Sequence, residues 1–252
     1  MSITKNKMIE GKKDIHEKYH RKTNSQCKII GKNNFTYRFI LSFLDKYLRR
    51  GMKILDIGCG AGTIDFYFAN KGYEITGIDI SDRAISSSIE TAKKLGLKNV
   101  SFRVVDFPKD KVTGKFDFVI FSEVIEHLED DKIALTEINK LLNPQGILFL
   151  STPSINAPLH RLGLTKKFDK EVGHLRRYEK KQLLNILESA GFKVLEIKKN
   201  EGIIRNFLFV NPIAGKLVQF IKFYISNTVT FIDNLTIPIF GNSNWIVVAR
   251  KK

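Results

Sequence analysis

The stretch Ile54-Leu55-Asp56-Ile57-Gly58-Cys59-Gly60-Ala61-Gly62-Thr63 runs an apolar segment into three alternating glycines and then into a helix-forming sequence. A short apolar run ending at glycines reads as a buried strand. The glycines let the chain turn sharply and bring backbone close to a ligand. Twenty-one residues after Gly58 a second apolar run ends in Ile78-Asp79. A carboxylate at that place can accept both hydroxyls of a ribose. Together the loop and Asp79 describe an adenosine site at the C-terminal ends of two strands.

The spacing narrows the ligand. A dinucleotide fingerprint is Gly-x-Gly-x-x-Gly, its third glycine admitting a pyrophosphate. Here the third glycine comes one residue early, and Asp56 precedes the loop. A carboxylate there repels a pyrophosphate and suits an ammonium group. The pattern favours S-adenosylmethionine over NAD.

Outward from this loop, strand and helix patterns alternate. Strands are expected at Lys53–Ile57, Glu74–Ile80, Val100–Val105, Phe116–Phe121, Gly146–Ser151, Phe192–Ile197 and Trp245–Ala249. Helices are expected over Thr63–Asn70, Asp82–Leu95 behind the N-cap Ser81, Asp130–Leu142 and Glu179–Ala190. That alternation implies an α/β fold, a doubly wound sheet with helices on both faces. Residues 51–199 with 243–252 form this core. Residues 1–50 read as a basic helical extension, with Phe35, Phe39, Ile40, Phe43, Leu44 and Leu48 on an apolar stripe. Residues 200–242 are too apolar for a loop and read as a helical insertion.

These motifs resemble those of class I S-adenosylmethionine-dependent methyltransferases, over about residues 35–200 and the last strand. The resemblance implies a seven-stranded Rossmann-like sheet whose last strand inserts antiparallel between strands five and six. It implies cofactor contacts from Asp56, Gly58, Cys59, Gly60 and Gly62 toward the methionine moiety, from Asp79 to the ribose, and from Ile80, Asp106 and Phe107 to the adenine. Ser122, following the fourth strand, joins them.

Ser122-Glu123-Val124-Ile125-Glu126-His127-Leu128 is similar to a Glu-Val-x-Glu-His segment of ubiquinone-biosynthesis O-methyltransferases. In a helix, Glu123, Glu126 and His127 share one face. Three readings stand: Glu123, Glu126 and His127 hold Mg or another divalent metal, His127 with Glu123 serves as a metal-free base, or the trio walls the pocket. Gly173-His174-Leu175-Arg176-Arg177-Tyr178 resembles a stretch of quinone- and glycan-associated methyltransferases. It offers His174 as a second base and Arg176, Arg177 and Tyr178 as acceptor contacts, against a reading as loop packing.

Composition bounds the rest. The chain has 252 residues and only two cysteines, Cys27 and Cys59, which excludes a disulfide scaffold. Met1–Lys13 is polar and lysine-rich, unlike a secretory signal, and no apolar run reaches a bilayer's width. These features favour a reduced, cytoplasmic setting. The net charge of +16 divides as +9 over residues 1–50, −3 over 51–150 and +10 over 151–252. Such an excess attracts phosphate-rich partners: anionic lipid at the inner membrane face, or nucleic acid. No RNA-binding module accompanies it, so a small or lipid-linked acceptor, such as a quinone precursor or a glycan-lipid intermediate, leads over RNA. A non-enzymatic membrane-associated subunit on the same fold is the remaining alternative.

Overall fold

A computed structural model of the chain describes residues 14, 17, 28–211, 214 and 226–252. Strand β1 (Lys53–Ile57) is buried from Ile54 onward, and it pairs in parallel with β2 (Glu74–Asp79) and β4 (Phe116–Ser122). Strand β3 (Val100–Val104) extends the sheet beyond β2. Strand β5 (Leu142–Pro153) lies beside β4. The two ends of the apolar insertion are joined to the sheet by β6 (Phe192–Asn200) and β7 (Asn244–Lys251). The strand order is β3-β2-β1-β4-β5-β7-β6. Strand β7 runs antiparallel to both neighbours, as the resemblance implies.

Helices α1 (Arg38–Tyr47), α2 (Thr63–Ala69), α3 (Asp82–Lys94), α4 (Asp131–Leu141) and α7 (Lys180–Ser189) cover the sheet. One core packs α4 and α7 against Leu55, Val119, Leu148 and Val247, and the opposite one packs α1 and α2 against Ile54, Phe118, Phe149 and Val248. These are alternate residues of the same strands, so the pleat sends neighbours to opposite faces. Ser81 caps α3 by accepting from Ala84 N–H, and Asp130 caps α4 by accepting from Ile133 N–H.

Several boundaries differ from the sequence expectation. Strand β5 begins at Leu142, through Asn143-Pro144, because Leu142 pairs with Phe116 and the ladder resumes at Ile147 and Phe118 across a bulge. A bulge tolerates the missing proline N–H. Strand β6 reaches Asn200 because β7 pairs along its whole length. Two short helices, α5 (Pro158–Arg161) and α6 (Lys166–Val172), occupy what reads as loop.

Of the N-terminal stretch, α1 and the residues flanking it carry the apolar stripe: Phe35, Leu44 and Leu48 are buried, and Phe39, Ile40 and Phe43 are partly buried against the core. Residues 1–13, 15–16 and 18–27 of the extension and 212–213 and 215–225 of the insertion lie outside the described residues. In the insertion, α8 (Ile203–Val210) and α9 (Ser226–Phe240) pack together. Asp233 of α9 caps α8, accepting from Gly202 N–H at 2.8 Å, Ile204 N–H at 2.9 Å and Arg205 N–H at 3.0 Å. Helix α9 therefore turns polar groups inward, and its outer face shows Phe231, Leu235 and Ile239, 67%, 60% and 74% exposed. Among the described residues no helix is long and apolar enough to cross a membrane.

Candidate active site

The glycine loop leaves β1 and is pinned to the end of β2. Gly58 N–H and Cys59 N–H both donate to Ile78 O, at 2.8 and 3.0 Å. Gly60 N–H donates to Asp79 Oδ2 and Ser81 N–H to Asp79 Oδ1, each at 2.9 Å. Two backbone donors thus fix the Asp79 carboxylate at the cleft rim and leave a lone pair on each oxygen. Gly58 and Gly62 have φ of +76° and +71°. A Cβ at Gly58 would collide with Val124, and one at Gly62 would meet the Phe102 ring at 2.8 Å. The loop accepts only glycine there.

These residues fit S-adenosylmethionine. Asp56, Gly58, Cys59, Gly60, Asp79, Ile80, Asp106, Phe107 and Ser122 all border one cleft. Gly62 sits behind it as the residue that starts α2. Asp106 is paired with Lys109 Nζ at 2.8 Å. Among the described residues, the charged groups acting on Asp56 are Asp65 and Asp79, with no lysine, arginine or histidine beside them. An anionic pocket of this kind accepts a cationic ligand and disfavours a pyrophosphate.

The segment after β4 departs from the helical expectation. Only Ile125–His127 is helical, as a single 3₁₀ turn, and Glu123 stands before it with φ +57°. Glu123, Glu126 and His127 therefore do not share one face. Glu123 turns back to the sheet, where Ser151 Oγ donates to its Oε1 at 2.6 Å and Asn244 Nδ2 approaches at 3.4 Å. Ser122 Oγ lies 2.8 Å from Ser151 Oγ in the same cluster. Burial pushes the Glu123 carboxyl up to about 7. Glu126 is wholly buried; Thr152 Oγ1 donates to its Oε2 at 3.0 Å, while its Oε1 has no hydrogen-bond partner. Burial, with the Glu123 charge beside it, pushes the Glu126 carboxyl well up.

Helix α6 completes the arrangement. His174 Nδ1 stands 2.9 Å from Asp169 Oδ1, and Arg177 and Thr165 also donate to Asp169. Burial opposes charge on Asp169, but the bonds from His174 and Arg177 outweigh it and hold the carboxyl well below its usual range. An ionised carboxylate only accepts, so His174 Nδ1 carries the hydrogen and Nε2 is its basic nitrogen. His127 Nδ1 faces the carbonyl of Gly173 at 3.1 Å, which fixes the same tautomer. The two rings meet edge to face at 4.9 Å. Their Nε2 atoms stand 4.0 Å (His127) and 3.9 Å (His174) from the orphaned Glu126 Oε1. The three side chains that converge are thus Glu126, His127 and His174, with ligand atoms within 4.8 Å of one another; Glu123 is not among them.

The acceptor contacts expected after Gly173 divide. Arg177 borders the cleft. Arg176 does not: its Nη1 donates to Asp131 at 3.1 Å and its Nη2 to Glu129 O at 2.9 Å. Tyr178 is fully buried, and its hydroxyl donates to Asp131 at 2.8 Å. Both residues fasten the loop to α4.

The cleft measures about 970 Å³, near the upper end for small-molecule pockets of roughly 300–1,000 Å³. Beyond the histidines its wall is apolar, with Tyr37, Phe39, Ile40, Phe168, Phe209 and Ile246. Sequence reading misses Asp169 as the partner of His174. Asp169 sits five residues before His174, a spacing no regular element predicts, because the helix ends between them at Gly173.

A family model described as a methyltransferase domain matches residues 48–191. The ubiquinone biosynthesis O-methyltransferase of Idiomarina loihiensis is 27% identical over 178 residues, covering 66% of this chain and 68% of the relative. That of Caulobacter vibrioides is 36% identical over 118 residues, 46% of each chain. Among solved structures, a Haemonchus contortus phosphoethanolamine N-methyltransferase 2 in complex with S-adenosyl-L-methionine superposes with a TM-score of 0.68 at 18% identity. It covers 94% of this chain and 60% of its own.

Proposed function

Because the chain belongs to the S-adenosylmethionine-dependent methyltransferase family, we propose that its acceptor is a hydroxyl carried on an apolar small or lipid-linked molecule. The observation that carries this reading is the pair of histidines bordering the cleft, each with its tautomer fixed so that Nε2 is the basic nitrogen. S-adenosylmethionine, when bound, supplies a methyl group already activated on a sulfonium. Asp56, the glycine loop and Asp79 would hold it, with Asp106, Phe107 and Ile80 toward the adenine. What remains for the protein is alignment and removal of the acceptor proton. His174 is the base: Asp169 holds its Nδ1–H and stabilises the imidazolium formed when Nε2 takes the hydroxyl proton. His127 orients that hydroxyl. Glu123 and Arg177 close the polar floor, and Phe39, Phe168 and Phe209 exclude water from the apolar part.

A second reading is supported by the orphaned Glu126 Oε1. With His127 Nε2 and His174 Nε2 it would hold a divalent metal, which would lower the pKa of a bound hydroxyl. Removing metal with a chelator and adding Mg back separates the two: activity that survives chelation overturns the metal reading.

Named relatives that act in ubiquinone biosynthesis support a catechol-like acceptor. The apolar outer face of α9, on a chain of charge +16, supports a site fed from an anionic membrane surface. The test is transfer of labelled methyl from S-adenosylmethionine to an alkyl catechol and to the matching alkylamine. Labelling of the catechol is expected. Labelling of the amine alone overturns the hydroxyl reading.

A further inference from the structure

Asp65, the third residue of α2, has no place in the mechanism above. Its side chain is wholly buried, and neither of its oxygens has a hydrogen-bond partner. Its side chain interacts with that of Asp56, which is 3% exposed and borders the cleft. Two carboxyls can bond to each other only through a proton that they share. The charged and titratable groups acting on the pair are Asp79, from the end of β2, and the Cys59 thiol, from the glycine loop. None of these is a cation. Burial, together with the Asp65 charge, pushes Asp56 well up, and burial brings Asp65 to about 7. A doubly charged pair in such surroundings lacks the compensation that buried charges require.

We propose that Asp65 is a further determinant of cofactor affinity: with Asp56 it holds one proton in the free protein, and that proton leaves for solvent when a cationic ligand enters beside Asp56. This rests on the reading of the cleft as an S-adenosylmethionine site. The charge balances. The ligand brings an ammonium and a sulfonium, and the pair passes from one negative charge to two. S-adenosylhomocysteine brings the ammonium alone and releases less of the proton. The pair thus distinguishes donor from product by charge, without touching the methyl group. Asp65 is a positioning residue that acts through Asp56.

The experiment is calorimetric titration of the full chain with each ligand at pH 6.5 and 7.5, in phosphate and in Tris. The difference between buffers counts the protons released. For the wild type, up to one proton per S-adenosylmethionine is expected, with fewer for S-adenosylhomocysteine. The affinity for S-adenosylmethionine should rise by up to about tenfold per pH unit across this range. In Asp65→Asn, which keeps the shape, and in Asp65→Ser, both the release and the pH dependence should fall clearly below those of the wild type. Melting of the ligand-free protein gives a readout free of ligand. The melting temperature of the wild type should fall from pH 5.5 to 8, more steeply than that of Asp65→Asn. Binding without proton release by the wild type overturns the proposal, as does equal release by a variant that binds. No binding by folded wild type overturns instead the cofactor reading on which it rests.

Discussion

At the residue scale the proposed base is His174. Asp169 is anchored by Arg177 and Thr165, so the imidazole is fixed before any acceptor arrives. His174→Gln should therefore lower kcat by about 10²- to 10⁴-fold, the usual worth of a positioned base, with cofactor affinity unchanged in the same preparation. Asp169→Asn should lower kcat less and leave the fold intact. Equal kcat in His174→Gln and wild type would remove the histidine from the reaction. Asp79 is tested by binding alone. Asp79→Ala removes a charged acceptor from the ligand and strands Gly60 N–H. Hydrogen bonds to charged groups are worth about 1.5–3 kcal/mol, so the loss in cofactor affinity should be at least about tenfold. Tyr178→Phe separates packing from acceptor contact. It should cost about 1–2 kcal/mol of stability by removing one of the two hydrogen bonds to Asp131, the other coming from Arg176, and leave the acceptor KM in place. A changed KM with unchanged melting would return Tyr178 to the acceptor site.

At the element scale, β1, the glycine loop and α2 were legible because their signals are local. Apolar run, glycines and helix start follow one another, and glycine is demanded by backbone angles at Gly58 and Gly62. The segment from Ser122 to Leu128 was not. Its i, i+3, i+4 spacing suits a helix, but the left-handed Glu123 and the pull of Ser151 and Asn244 on its carboxyl come from β5 and β7. Those partners lie 28 and 121 residues away, beyond the reach of any local pattern. Asp169 and Asp65 were missed for the same reason: each matters through a neighbour that only the fold supplies. The pairing of α8 with α9 makes an element-scale prediction. Asp233 holds three backbone donors at the start of α8, from which Phe209 reaches the cleft. Asp233→Ala should cost about 1–2 kcal/mol, as losing a good N-cap does. Hydrogen exchange should rise over residues 203–210 and leave β1 and β4 protected.

At the scale of the whole molecule, the question is where an apolar acceptor comes from. Asp233 and Thr230 of α9 are buried, while Phe231, Ile232, Leu235, Pro238 and Ile239 face outward with no charged side chain among them. This inverts the order of a surface helix, whose apolar stripe faces the core. Asp233, on its buried side, caps α8, and the exposed side carries these apolar residues together with Asn234. The chain's excess of cations lies in residues 1–50 and 151–252, the segments that bring α1 and α8 to the cleft. Each basic group near an anionic bilayer contributes about 1 kcal/mol, and each large apolar side chain that leaves water about 1.5–3 kcal/mol. Neither effect alone holds a protein firmly, but together they do. The full chain should therefore sediment with vesicles containing anionic lipid, bind neutral vesicles weakly, and be released in part by high salt. Phe231→Ser, Leu235→Ser and Ile239→Ser combined should weaken binding at least about tenfold, since three buried apolar groups are lost. The same variant should melt no lower than wild type, because these side chains are largely exposed. It should also methylate a water-soluble catechol at the wild-type rate while losing rate on a bilayer-dissolved one. A wild-type chain that stays in the supernatant with anionic vesicles would end the membrane reading and leave the acceptor to be sought in solution.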